Sequence, residues 1–163
     1  MRILGIDPGI AIVGYGVIDL KGNSISLVEY GCITTSSKSN LADRLFFIAE
    51  ELRDIIKTFK PDEMAIEELF FNKNVKTAMM VAQARGVEVL VGKENNLDIF
   101  EYTPLQIKNA LVGYGRASKE QVQEMVKMVL NLSDLPKPDD AADALAVSIC
   151  HSASHRFKDQ FRI

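Results

Sequence analysis

Carboxylates end two apolar runs of this chain, and three more stand at helical spacing near its C-terminus. The opening Arg2-Ile3-Leu4-Gly5-Ile6-Asp7-Pro8-Gly9 reads as an apolar strand that ends on Asp7 and is stopped by a Pro-Gly turn. Asp before Pro-Gly is also ordinary turn chemistry, so Asp7 gains meaning only from its company. That company is first Glu63-Met64-Ala65-Ile66-Glu67-Glu68, a strand pattern whose alternation puts Glu67 and Glu68 on opposite faces. It is second Asp139-Asp140-Ala141-Ala142-Asp143, where Asp143 shares a helix face with Asp140 at i, i+3 or with Asp139 at i, i+4. First-turn acids also serve simply as helix-dipole partners. Periodicity leaves open which member of each pair joins Asp7 and Asp143; the other is a surface charge of little consequence. Carboxylates gathered in this way are hard oxygen ligands, suited to magnesium or manganese and not to zinc. Their chemistry would be two-metal phosphodiester hydrolysis, with the ions ~3.5–4 Å apart.

The elements that must position these acids follow in order. Arg2–Ile6, Ile12–Leu20 and Ser24–Ile33 are strand candidates, the last two joined by Lys21-Gly22-Asn23, and such short links imply antiparallel neighbours. Gly14 and Gly16 alternate on one strand face, which marks tight packing or close approach by another backbone or a ligand. Ser39 or Asn40 caps a helix whose apolar positions Leu41, Leu45, Ile48, Leu52 and Ile55 recur at spacings of three and four. After the Glu63–Phe70 run, Phe71-Asn72-Lys73-Asn74 puts aromatics beside lysine, a pattern that serves either core packing or base stacking. Residues 75–91 form a helix with small residues at Ala78, Ala82, Ala84 and Gly86, open to close approach by the sheet or another subunit. Leu97–Tyr102 is a further strand. Thr103-Pro104-Leu105-Gln106 and Ser118-Lys119-Glu120-Gln121 are capping boxes that start two more helices. Lys108 rides the first, and Lys119 sits in the first turn of the second, where the dipole disfavours its charge. The last helix begins near Pro138. The whole is a mixed α/β pattern with an antiparallel start.

At 163 residues one domain is expected, with a sizeable core. Its apolar share of 47% and charged share of 25% fit a globular protein and exclude disordered and fibrous classes. No run approaches the ~18 apolar residues of a membrane span, and no secretory signal pattern opens the chain, so the expectation is a cytoplasmic protein with no membrane partner. Cys32 and Cys150 have neither metal-ligand nor disulfide-framework spacing. The net charge of −3 argues against nucleic acid, but its distribution does not. Residues 72–137 carry 9 basic and 7 acidic side chains, against 7 and 11 in residues 1–71. Two divalent cations on four of the acids would cancel their charge and leave the loaded chain near +1.

Gly5-Ile6-Asp7-Pro8-Gly9, Gly14-Tyr15-Gly16, Ala65-Ile66-Glu67, Gln83-Ala84-Arg85-Gly86 and Asp140-Ala141-Ala142-Asp143-Ala144-Leu145-Ala146 together resemble the RuvC family of crossover junction (Holliday junction) endonucleases, within the ribonuclease H-like superfamily. The resemblance runs from about residue 2 to 154 and implies a five-stranded mixed sheet flanked by helices, with a nuclease domain at 1–155 and a tail at 156–163. It implies a homodimer that resolves four-way DNA in recombination and repair by paired symmetric nicks, leaving 5′-phosphate and 3′-hydroxyl ends, beside a branch-migration motor of the RuvA and RuvB type. It carries catalytic and metal-binding roles onto Asp7, Glu67, Asp140 and Asp143, the third as a ligand or as a water-orienting group. Two Mg²⁺ per subunit are implied, with Mn²⁺ as substitute. Lys108 and Lys119 match lysines acting at the scissile phosphate, and Phe70 an aromatic stacking at the junction. Lys73, Lys76 and Arg116 are further expected DNA contacts. Competing readings are a ribonuclease H-like nuclease acting on RNA, a non-catalytic DNA-binding module, and an actin-like ATPase, for whose second domain the length leaves no room.

Overall fold

Ile3, Leu4, Gly5 and Ile6 are buried, as a strand must be when both faces of its sheet are covered. A computed structural model describes residues 1–69 and 75–163, the side chains of Val75 and Lys76 excepted. In it β1 (Arg2–Asp7) is the central strand of a five-stranded sheet of order β3-β2-β1-β4-β5. The glycine-containing β2 (Ile12–Lys21) and β3 (Ser24–Thr34) form the antiparallel half, while β4 (Glu63–Glu67) and β5 (Asp98–Tyr102) add parallel to β1. The strand and helix order expected from the pattern is the order observed. The Glu63–Phe70 run is shorter as a strand, ending at Glu67; Phe70 to Asn74, with the aromatic and Lys73 expected at DNA, lie outside the described residues, as does the Lys76 side chain.

Side-chain alternation sorts the sheet into two cores. Leu4, Ile6, Met64, Ile66 and Ile99 pack with α1 (Leu41–Phe59) and α2 (Val75–Glu94). Ile3, Ala65, Phe100 and Tyr102 point to the opposite face, under α3 (Pro104–Val112), α4 (Lys119–Val129) and α5 (Asp139–Ser154). The side chain of Asn40, not of Ser39, caps α1, and both expected capping boxes are closed. The helix α5 lies directly on β1 and β2 and is buried from Ala144 to Ser152.

Glycine makes that contact possible. A Cβ added at Gly5 would stand 2.2 Å from the Ala144 carbonyl oxygen, one at Gly14 2.0 Å from that of Asp140, and one at Gly16 2.7 Å from the Leu145 side chain. Gly5 and Gly16 are also cross-strand partners. Of the readings open for these glycines, close approach by another backbone is the one observed.

Residues 156–163 do not trail away. Their 3₁₀ turn brings Phe161 to 4.8 Å, ring to ring, from Tyr102, and the Ile163 amide donates to the Ile99 carbonyl at 3.0 Å. The segment covers the outer edge of β5, a position that otherwise offers unpaired backbone groups. Among the described residues no helix is long and apolar enough to cross a membrane.

Gly14→Ala tests the helix seating. Forcing a methyl against the Asp140 carbonyl is expected to cost ~1–3 kcal/mol and lower the melting temperature by roughly 3–10 °C. Thermal denaturation followed by circular dichroism checks this; an unchanged melting curve refutes the close contact.

Candidate active site

The period-2 alternation that puts Gly5 and Ala65 under α5 also puts Asp7 and Glu67 there, two residues further along each strand. Ile6 pairs with Ile66 in the parallel register, so the two carboxylates end adjacent strands side by side. Glu68 turns away and donates its amide to the Tyr102 carbonyl at 2.9 Å. Tertiary register therefore selects Glu67, as the resemblance implied and periodicity could not.

From above, α5 brings Asp140 and Asp143, because its first turns rest on Gly14 and β2. Burial pushes the Asp7 carboxyl up to about 8, and the charges of Glu67, Asp143 and Asp140 push the same way. Burial and the Asp143 charge likewise raise Glu67, to about 7, while Asp7 donating to it, Lys108 and Lys119 pull it down. Burial raises Asp143, opposed by Lys119. Burial and mutual repulsion thus hold both carboxyls above the ordinary carboxylate range, as expected of like charges in one site. Asp139 is not among the charges acting on Asp7, so the i, i+3 pair faces the cluster.

Glu67 and Asp143 line a cleft of about 280 Å³ together with Lys108 and Lys119, over Ile107, Val122 and Ala146. The helix α3 delivers Lys108 and α4 delivers Lys119, each set by its capping box. Lys119 Nζ lies 3.0 Å from Asp143 Oδ2. Arg116 is exposed on the connection between α3 and α4 and is not part of the cleft lining. Among the described residues no three Asp, Glu, His or Cys side chains close into a ligand cage, and the Lys119 ammonium holds the place of a cation at Asp143. The donor set nonetheless fits a divalent metal: four carboxyl groups offering hard oxygen atoms, of which Asp7 and Glu67 are held above their ordinary range by burial first and by neighbouring negative charge second.

Three groups escaped the sequence reading. Asp139 is exposed, as a surface charge of that reading would be, and in addition accepts from Gln123 at 3.1 Å and lies 3.4 Å from Lys119. His151 is buried, Nε2 2.7 Å from Glu63 and Nδ1 2.7 Å from the Tyr102 hydroxyl; only its place at the end of the largely apolar run Ala144–Cys150 could have flagged it. Glu88 of α2 is buried near the Gly9 amide, and burial raises its carboxyl to about 8. Cys150 packs in the core and Cys32 is half-buried, both free thiols.

Asp7 generates a pH test. Its pKa is raised on folding from 3.8 to about 8, so across that window the folded, metal-free protein holds a proton the unfolded chain has released, and stability falls as pH rises. In chelator, Asp7→Asn is expected to raise the melting temperature at pH 8.5 and to flatten its decline from pH 6.5. A variant that melts no higher than the parent at pH 8.5 contradicts the crowding of charge described above.

Residues 3–151 match the family model described as crossover junction endodeoxyribonuclease RuvC. The crossover junction endodeoxyribonuclease RuvC of Finegoldia magna is 63% identical over 158 residues, 97% of this chain and 96% of the relative. The Thermus thermophilus RuvC structure superposes with a TM-score of 0.92 at 32% identity, covering 100% of each chain. The T. thermophilus RuvC structure in complex with Holliday junction substrate gives 0.91 at 30%, again with 100% coverage of each.

Proposed function

The chain belongs to the RuvC family of crossover junction endodeoxyribonucleases, and from that premise we propose that it resolves four-way Holliday junctions by metal-dependent hydrolysis at the Asp7–Glu67–Asp143 cluster. The observation that carries the reading is one cleft joining strand-end and helix carboxylates to two lysines. Carboxylates without lysines would bind metal but repel a phosphodiester; lysines alone would bind DNA without cutting it.

Asp7, Glu67, Asp140 and Asp143 would hold two Mg²⁺ per subunit, or Mn²⁺ in its place, with Asp140 as ligand or orienting the water. Ions held there would supply an activated water and stabilise charge on a leaving 3′ oxygen, chemistry that fits 5′-phosphate and 3′-hydroxyl ends. Lys108 and Lys119, which line the cleft beside Glu67 and Asp143, reach the scissile phosphate and neutralise charge growing on its oxygens. Arg116, Lys73 and Lys76 track flanking phosphates, and Phe70 stacks at the branch. The nuclease domain takes in the docked segment 156–163, and the setting is cytoplasmic recombination and repair beside a RuvA and RuvB type motor.

A four-way junction has approximate twofold symmetry, so two symmetric nicks call for an isologous dimer with one site per subunit. The helix α2 supports this. Met79 and Leu90 are 61% and 56% exposed, and with Ala82 and Gly86, also exposed, they lie on one face. A Cβ at Gly86 would meet nothing within 4 Å, and a mid-helix glycine costs ~1 kcal/mol; close approach of a second α2 gives it a reason.

Cleavage of a synthetic four-way junction in magnesium, absent in chelator, is the direct test, with RNA duplex and linear DNA left uncut. Asp7→Asn and Asp143→Asn should lower the nicking rate by orders of magnitude while junction binding in chelator holds or tightens, because each removes a metal ligand and lowers the negative charge the cluster can present to phosphate. Efficient RNA cleavage instead would favour the other ribonuclease H-like reading. For the dimer, Ala82→Arg should give a monomer by multi-angle light scattering with unchanged circular dichroism; an intact dimer removes α2 from the interface.

A further inference from the structure

Lys119 stands between two aspartates of different kinds. Its Nζ is 3.0 Å from Asp143 Oδ2, inside the cleft, and 3.4 Å from Asp139 Oδ2, outside it. The second oxygen of Asp139 is also engaged, accepting from Gln123 Nε2 at 3.1 Å. Lys119 and Gln123 are one turn apart on α4 and share a face, so Asp139, at the first residue of α5, grips that face through both of its oxygens. Gln123 is buried and Lys119 exposed; the amide therefore anchors Asp139, and Asp139 in turn orients the mobile lysine. Both aspartates strengthen the charge on Lys119 against its partial burial.

The two contacts differ in what a divalent cation does to them. A cation on Asp143 competes with the Lys119 ammonium for the same carboxylate and repels it. Asp139 does not act on Asp7, lies outside the cleft lining, and stays available. We propose that Asp139 is a positioning residue that retains Lys119 at the mouth of the cleft when metal takes Asp143, so that the lysine passes from one aspartate to the other and is not released to solvent. The inference rests on the proposed roles of Asp143 and Lys119 and assigns Asp139 no metal of its own. A lysine stem has many rotamers, and a second carboxylate fixed by Gln123 keeps those that face the phosphate.

Linkage gives the test. In the parent protein, metal binding costs Lys119 one of two partners; in Asp139→Asn it costs the lysine its remaining one, so metal binding weakens. Mn²⁺ titration followed by electron paramagnetic resonance, without DNA, is run on the parent, Asp139→Asn, Asp139→Glu, Lys119→Met, and Asp139→Asn combined with Lys119→Met. The expected result is roughly fivefold weaker Mn²⁺ binding in Asp139→Asn, partial recovery in Asp139→Glu, and no effect of Asp139→Asn in the Lys119→Met background. At saturating magnesium, Asp139→Asn should nick a four-way junction about tenfold more slowly with unchanged junction affinity. Equal weakening with and without Lys119 would make Asp139 a bulk charge and overturn the proposal, as would parental Mn²⁺ binding in Asp139→Asn. Asp143→Asn in the same titration reports on the underlying reading. Undiminished Mn²⁺ binding there removes the metal site and this proposal with it, whereas lost binding there beside a parental Asp139→Asn removes the proposal alone.

Discussion

The structure turns on the seating of α5, backbone against backbone, on β1 and β2. Helices normally ride about 10 Å above a sheet on a layer of side chains; here Gly5, Gly14 and Gly16 remove that layer, and the Ala144 and Asp140 carbonyls occupy the space a Cβ would need. The helix answers with Ala141, Ala142, Ala144 and Ala146, small enough to press the two surfaces together. Only at that separation can Asp140 and Asp143 stand over the strand-end Asp7 and Glu67. Thickening the layer by one methyl would lift one half of the carboxylate cluster off the other.

Seating fixes height but not position along the helix axis. That second coordinate is held at the far end of α5, where His151 links the start of β4 through Glu63 to β5 through the Tyr102 hydroxyl. Lys158, from the C-terminal segment, also pairs with Glu63, so the residues beyond the last helix help satisfy a buried acid. Buried polar groups with both partners in place specify one arrangement, since any axial slip would strand a donor or acceptor away from water. One helix thus carries a locking group at one end and reactive groups at the other. The crowded carboxylates destabilise the fold, and the locked end keeps them in place; such opposition is common where function needs an unfavourable arrangement.

Legibility in the sequence followed the range of the interaction. Period-2 runs, the helix that opens at Leu41 and the two capping boxes are local, and each lies where the pattern placed it, except that the Glu63–Phe70 run ends as a strand at Glu67. The choice between Glu67 and Glu68 was not, because which strand face meets α5 depends on Ile6 pairing with Ile66, sixty residues away; only the family resemblance pointed to Glu67. Gly14 and Gly16 signalled close approach without naming the partner. Asp139 and His151 were invisible for the same reason. Their partners Lys119, Gln123, Glu63 and Tyr102 come from other elements, and no spacing rule joins them. The segment 156–163 offered no pattern, since it docks on the edge of β5 through a few contacts and not through a periodic face.

The electrostatic arrangement of the cleft follows from where its helices begin. Pro104 and Lys119 are the first residues of their helices and Asp143 lies one turn into α5, and all three line it, so the N-terminal ends of three helices, with their partial positive charge, border one small volume. For Asp143 that partial positive charge is favourable, though burial still raises its carboxyl above the ordinary range. For Lys119 it is unfavourable, and Asp143 and Asp139 supply the negative charge that keeps the ammonium there. Phosphate is the group that both the N-termini and the lysines favour and that the carboxylates alone oppose. Divalent cations bound to those carboxylates would reverse that opposition, and metal and phosphate would then favour one another in the cleft.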